Sequence, residues 1–229
     1  MIRVCHMTSA HGVEDIRIFH KECVSLTQAG YEVYLVQRGD SYEKSGVHII
    51  GVGDIPSGRF KRMTTGAKLV YQKALNINAD LYQFHDPELL PYGLKLKKKG
   101  KKVIFDSHED VPGQIMDKDW IPKSLRKIVY GVYRRYETHV ARQLDAVVTA
   151  TPHIAKKFRG RARKVTVVNN YPKLNDIVFH TKPFSERDHI VCYAGGINEL
   201  RGEEIMIKAM KDADGVLIIA GEHPKMEIG

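Results

Sequence analysis

Short runs of β-branched and apolar residues recur along the chain, each followed by a longer stretch of helical period. This alternation narrows the fold to a parallel sheet with crossover helices. The runs at 2–7, 32–36, 47–52, 81–84, 102–105, 146–149 and 165–168 are predicted strands. The first intervening helix is the plainest: Ile16, Phe19, Cys23 and Leu26 recur at spacings of three and four, Gly30 ends it, and Asp15 stands where an N-cap belongs. The expected fold class is α/β, a Rossmann-like parallel sheet with helices on both faces.

The pattern breaks at 175–188, where polar residues, Pro183 and alternating charges replace the periodicity. This reads as a linker. A new unit follows, with a strand at 189–194, a Gly195-Gly196 turn, a helix at 202–210 and a strand at 215–220. One βαβ unit exposes most of both sheet faces, so 189–229 is expected to be the start of a second, truncated Rossmann-like domain after a first domain at 1–174.

Lys+Arg 36 against Asp+Glu 27 leaves a net charge of +9, which favours an anionic partner. The basic residues are not interleaved with aromatic stacking residues, so nucleic acid is not expected. Cys5, Cys23 and Cys192 are far apart in apolar or amphipathic segments and read as buried free thiols in a reducing compartment. No stretch has the length and apolarity of a membrane span, and the first residues lack a secretory signal. A cytoplasmic protein, soluble or peripheral at the inner face of the membrane, is expected.

Open parallel sheets bind ligands at the carboxyl ends of their strands. Four strand exits are unusually polar: residues 8–15 after the first strand, His85-Asp86-Pro87-Glu88 after the fourth, Asp106-Ser107-His108-Glu109-Asp110 after the fifth and Asn169-Asn170-Tyr171-Pro172 after the seventh. The first loop has no G-x-G-x-x-G, and no phosphate-binding G-x-x-x-x-G-K-[ST] occurs, which argues against dehydrogenase and NTPase classes.

In order and approximate spacing, five blocks resemble glycosyltransferase family 4, the retaining nucleotide-sugar transferases of GT-B fold. They are Asp15-Ile16-Arg17-Ile18-Phe19-His20-Lys21-Glu22 with Gly30-Tyr31-Glu32-Val33 after it, His85-Asp86-Pro87-Glu88-Leu89-Leu90-Pro91, Asp106-Ser107-His108-Glu109, Asn170-Tyr171-Pro172 and Tyr193-Ala194-Gly195-Gly196-Ile197. The resemblance implies a cleft between two domains, with the acceptor mainly on the first and the nucleotide sugar mainly on the second. It implies that His108 is the active-site histidine near the donor sugar and that Gly12 lets backbone approach the donor. Arg201, in the Arg-Gly step after Gly195-Gly196, is then the cation facing the leaving diphosphate. No metal and no cofactor are implied beyond the nucleotide-diphosphate sugar. The family's E-x₇-E element has no counterpart in the sequence, so the chain alone is expected to be inactive.

The implied reaction is transfer, with retention, to a hydroxyl on a glycan or lipid-linked acceptor in surface polysaccharide or glycoconjugate synthesis. The alternative is a non-catalytic acceptor-binding module, or half of a split transferase. His11, Asp15, His85, Glu109 and Asn170 are acceptor or cleft candidates. For several of these a plainer reading stands alongside. Asp86-Pro87-Glu88 reads as N-cap, N1 proline and acidic first turn; Asp15 as a cap; Glu109 and Asp110 as acids facing water; Asn170 as the residue fixing its turn. The cluster Lys95 to Lys102 reads as a solvated face. The helix expected beside Trp120 carries Leu125, Ile128, Val129, Val132, Tyr136 and Val140 on one face, with Arg126, Lys127, Arg134 and Arg135 elsewhere. Packing of that face on the sheet is favoured over contact with an anionic membrane.

Overall fold

The computed structural model describes residues 1–54, 58, 61–118, 121–174 and 182–222. Trp120 and residues 175–181 of the expected linker lie outside them. The chain divides into two compact units, Met1–Tyr171 and Pro172–Gly229.

The first unit is built on an eight-stranded sheet: β1 (Arg3–Met7), β2 (Glu32–Gln37), β3 (Tyr42–Lys44), β4 (Val47–Gly51), β5 (Leu81–Phe84), β6 (Lys102–Ser107), β7 (Ala146–Thr149) and β8 (Val165–Val167). The spatial order is β3-β4-β2-β1-β5-β6-β7-β8. Every adjacent pair is parallel except β3 with β4. Strand bounds differ from the sequence expectation by no more than two residues, except that β3 was not expected. Its Tyr-Glu-Lys is wholly exposed and so carries no apolar alternation to read.

Side chains alternate across the sheet, and two apolar layers result. Val33 and Leu35 of β2 and Val47 and Ile49 of β4 pack with Ile18, Phe19 and Cys23 on one face. Cys5 and Met7 of β1, Val36, Phe84 and Phe105 pack on the other face with Val70, Leu90 and Val140. Gly93 is required here, because a Cβ on it would lie 2.6 Å from the Phe84 ring.

Helix α1 opens with a π-helical stretch, Ile16–Cys23, and continues as regular helix over Val24–Gln28. His20 N donates to Asp15 O at 3.3 Å, five residues back. The wider turn rotates the buried face: Arg17, Ile18, Phe19 and Cys23 are buried, while Ile16, expected inside, is 66% exposed. Helix α2 likewise has a π-helical start, Arg62–Gly66, before Ala67–Ile77. Further helices are α3 (Leu90–Lys98), α4 (Val111–Ile115), α5 (Lys123–Ala141) and α6 (Pro152–Phe158).

The lysine cluster is a solvated face as expected, with Lys95, Lys98, Lys99 and Lys102 exposed, while Lys97 donates to Asp145 and Lys101 to Asn78, both at 2.7 Å. One more expectation is corrected in this unit. The apolar stripe of α5 does not pack on the sheet. Val140 is buried, but Ile128 and Val132 are 62% and 64% exposed, and Leu125, Val129 and Tyr136 are exposed as well. Glu137, Val140 and Ala141 form the buried face instead.

The second unit holds β9 (Ile190–Ala194) and β10 (Val216–Ala220), paired in parallel, with α7 (Glu203–Ala209) between them. Its Cys192, expected to be buried, is exposed, whereas Cys5 and Cys23 are buried.

Candidate functional site

The strand order reverses at β1, with β2 and β4 on one side and β5 to β8 on the other. In an open parallel sheet the crevice outside the carboxyl ends at such a reversal is where ligands bind. The loops after β1, β5, β6 and β8 are joined there by charged hydrogen bonds.

Asp86 holds the first loop. Its Oδ2 accepts from Thr8 Oγ1 at 2.8 Å, Ser9 N at 2.5 Å and Ala10 N at 3.1 Å, and its Oδ1 lies 3.2 Å from His11 Nε2. It makes no side-chain cap to the short helical turn Pro87–Leu89, so the capping expectation is corrected. The carboxylate is satisfied instead by the Thr8, Ser9 and Ala10 donors of the first loop. Glu88, read as an acidic first turn, is buried against Ser9 Oγ at 3.3 Å and Arg62 at 3.3 Å. Asp15 does cap α1, accepting from Arg17 N and Ile18 N, and its other oxygen is 3.5 Å from His11 Nδ1.

His11 therefore lies between two carboxylates. Hydrogen bonds to Asp15 and Asp86 raise its pKa to about 10, outweighing partial burial. It is an imidazolium at neutral pH. His11 Nε2 is 3.0 Å from His108 Nε2. Burial lowers the pKa of His108, whose Nδ1 is buried without a hydrogen-bond partner and lies 3.8 Å from Asp106.

Asp106 is fully buried and grips Arg17 with both oxygens, at 2.9 Å from Nε and 2.8 Å from Nη2. His85 Nδ1 lies 3.0 Å from the same carboxylate. Burial opposes the negative charge, but hydrogen bonds from His85 and Arg17 overcome it and hold Asp106 well below the ordinary range. The same partner raises the pKa of His85 against its burial. Arg17 Nη1 also donates to Val168 O at 2.9 Å. Lys21, one turn on, donates to Asn170 Oδ1 and Tyr171 O, both at 2.7 Å. Asn170 is thus a tie to α1 rather than the residue fixing its own turn. A lysine in reach offers a charge-assisted bond stronger than a local amide contact.

Beneath this layer His6 Nδ1 is 3.0 Å from His85 Nε2. Burial lowers the pKa of His6 to about 3. Burial also raises Glu22 to about 7, although it accepts from Gln83 Nε2 at 2.7 Å and lies 3.2 Å from Arg17. His6, Glu22 and His85, and likewise His85, Asp106 and His108, bring ligand-type atoms within 4.8 Å of one another. The Arg17 guanidinium touches both Asp106 and Glu22, so it already neutralises the carboxylates that either group would offer a cation.

Of the other candidates in this unit, Gly12 is exposed in the first loop, and a Cβ there would come no nearer than 4.0 Å to Arg38 Nη2. Glu109 is exposed and accepts from Gln114 at 3.2 Å. Asp110, read as facing water, caps α4 through Gly113 N and pairs with Lys157. In the second unit Tyr193 Oη donates to Gly196 O at 2.9 Å, Gly195 lies beside that phenol, and Arg201 is exposed in a turn capped by Asn198.

Arg17, Lys21, Glu22, Asp86 and Asp106 organise the edge but do not stand out as site residues in the sequence. The available signal is Arg17 itself. A cation in the first turn of a helix opposes the helix dipole and calls for a buried partner.

An α/β sheet of this topology, with its polar carboxyl edge at the strand reversal and a second βαβ unit after it, is a layout shared with GT-B glycosyltransferases. Within that class the chain belongs to Glycosyltransferase Family 4, whose family model matches residues 17–171. No curated protein matches the chain in sequence.

Solved structures share the fold. Sucrose-phosphate synthase from Thermosynechococcus elongatus superposes with a TM-score of 0.73 at 14% identity, over 99% of this chain and 64% of that one. A UGT transferase from Siraitia grosvenorii in complex with UDP gives 0.60 at 10% identity, over 98% and 65%. A trehalose-6-phosphate synthase structure, solved in a study of glycosyl transfer with retention, gives 0.56 at 11% identity, over 96% and 63%. The chain thus spans 64% of the length of the sucrose-phosphate synthase. Among the described residues no helix is long and apolar enough to cross a membrane.

Proposed function

We propose that this chain is the acceptor-side part, with the beginning of the donor side, of a transferase that moves a sugar from a nucleotide-diphosphate sugar to a hydroxyl. The acceptor is a glycan or lipid-linked molecule of surface polysaccharide or glycoconjugate synthesis, met on the cytoplasmic side of an anionic membrane. The observation that carries the reading is the chain of contacts Asp86–His11–His108 at the strand reversal, in a member of Glycosyltransferase Family 4.

Transfer proceeds with retention. The bond from the anomeric carbon to the diphosphate oxygen breaks as the bond to the acceptor oxygen forms on the same face, and the acceptor proton passes to the departing diphosphate. No metal is needed in this reading, because Arg201 and the Gly195-Gly196 turn meet the diphosphate charge. His108 positions the donor sugar and assists electrostatically. Its Nε2 lies 3.0 Å from His11 Nε2 and its Nδ1 is buried facing Asp106, so its part in this reading is positional and electrostatic rather than that of a general base. Gly12 leaves room for the donor. His11, Asp15, His85, Glu109 and Asn170 frame the acceptor side.

Transfer is to be assayed with a panel of UDP, GDP and ADP sugars, for the chain alone and with a second domain restored by fusion. With the domain restored, His108→Ala should lower turnover by about tenfold or more while the melting temperature holds. Gly12→Ala should also lower turnover without loss of stability, since its Cβ meets nothing closer than 4.0 Å. Loss of stability with unaltered turnover would make His108 a structural residue. Acceptor binding without turnover in the fused protein favours the second reading, a non-catalytic module or one half of a split enzyme.

A further inference from the structure

Helix α5 exposes more apolar surface than a solvated helix needs. Leu125, Ile128, Val129, Val132 and Tyr136 recur at spacings of three and four, so they form one continuous stripe, and all five face solvent. The sheet side of the helix is already filled by Glu137, Val140 and Ala141, so the stripe is not a core face out of place. Contiguous patches of this kind mark interaction surfaces.

The charges beside the stripe say what covers it. A groove along the helix is lined by Ile128 and Val132 from the stripe, by five cations, Lys127, Arg134, Arg135, Arg142 and Arg161, and by no carboxylate. Among the described residues no ion pair engages Arg134, Arg135 or Arg142. An aliphatic stripe flanked by unpaired arginines matches a surface that is anionic outside and hydrocarbon just beneath. A second copy of the chain is a poor match, because a two-fold contact would set each row of arginines against its equivalent.

We infer that the exposed face of α5 docks on an anionic lipid bilayer, with the Leu125–Ile128–Val132–Tyr136 stripe in the acyl boundary and the arginines at the headgroups. The inference is independent of the transfer reaction. It also has a spatial consequence, because Tyr130 and Arg134 of α5 share a small cavity with Ser107 and Asp110 of the loop that carries His108. The docked helix therefore adjoins the polar edge of the sheet.

The test is flotation of the 229-residue chain with vesicles of phosphatidylcholine, with and without phosphatidylglycerol. The expected result is binding that requires phosphatidylglycerol and weakens with salt. Ile128→Asp with Val132→Asp should lower the partition coefficient by about tenfold or more at unchanged melting temperature. Arg134→Gln with Arg135→Gln and Arg142→Gln should reduce binding to the level seen on neutral vesicles. An independent reading comes from an environment-sensitive dye at Val132→Cys in a Cys192→Ser background, whose emission should shift to the blue on anionic vesicles only. Absence of binding at low salt overturns the inference. So does binding that survives both sets of substitutions, which would assign it to another basic surface. Sedimentation of the unsubstituted chain as a dimer that the aspartate pair dissolves would assign the face to a second copy.

Discussion

The buried pair of Arg17 and Asp106 is the residue-scale element that most needs both partners. Their side chains are 5% and 0% exposed, and the guanidinium also holds the Val168 carbonyl, so it joins α1, β6 and the loop after β8. Removing one partner of such a pair leaves the other charged and dry, at a cost of about 3–5 kcal/mol. Arg17→Met should therefore lower the melting temperature by roughly 6–20 °C, at about 2–4 °C per kcal/mol for a chain of this size. Arg17→Lys, which keeps the charge but loses the fork, should fall between. A loss of only a degree or two in Arg17→Met would mean that His85 alone suffices for Asp106. His11 supplies a prediction in pH. Its ordinary pKa of 6.5 is raised to about 10 in the fold, so its contribution is complete below about pH 6.5 and is lost as pH rises toward 10. The whole shift corresponds to about 5 kcal/mol. Solvent screening of a ring whose side chain is 24% exposed reduces that to about 1–3 kcal/mol. Urea melts at the two ends of this range should show the loss in the unsubstituted protein and a flatter response in His11→Gln. Parallel pH responses would remove the charge from His11. Neither feature was legible in the chain: the polar loops announced an edge, but which side chains would pair across it depends on β1, β5 and β6 being neighbours, and no local pattern encodes that.

At the scale of elements, what could be read was what repeats locally. Strands buried on both faces appear as short continuous apolar runs, and β5 and β7 fell on their expected residues. Two failures have physical causes. The π-helical opening of α1 carries Arg17 inside and Ile16 outside, because a wider turn shifts the face that a regular period assigns. The strand β3 has no apolar side chain facing a core; its Tyr42 and Lys44 bond Glu14, at 3.0 Å and 2.6 Å, and so brace the first loop where Glu14 adopts φ 57. Helix α5 was misread for another reason, since an amphipathic period says that a face is apolar and leaves open what it meets. The consequence is measurable. Ile128→Asp and Val132→Asp should each change stability by no more than about 0.5 kcal/mol, as exposed positions do. Leu144→Ala, just past the helix and fully buried, should cost about 2–5 kcal/mol. Comparable losses at all three positions would mean that the stripe is covered within the chain in solution.

For the molecule as a whole, the two units differ in what they can sustain. The first has a two-layered core on an eight-stranded sheet. In the second, none of the described residues is buried: Ile190 is 49% exposed, Val191 55%, Val216 60% and Ile218 46%. Two parallel strands and a seven-residue helix with no buried side chain have little hydrophobic free energy to set against the entropy of ordering them. Residues 1–171 expressed alone should therefore unfold cooperatively within a few degrees of the 229-residue chain, since the melting of a core depends on the surface it buries. Amides of β9 and β10 should exchange with solvent orders of magnitude faster than those of β1 and β2. Donor binding should follow the same division. In the proposed reading Arg201 and the turn at Gly195-Gly196 would offer the diphosphate only a few charge-assisted contacts, and the cost of ordering an unstable unit is subtracted from them. Calorimetric titration of the 229-residue chain with UDP, GDP and ADP sugars should find only weak binding, near the millimolar range, and no measurable transfer. Slow exchange in β9, or micromolar donor binding with turnover, would overturn this and would mean that the second unit gains a core from contacts that its own strands do not supply.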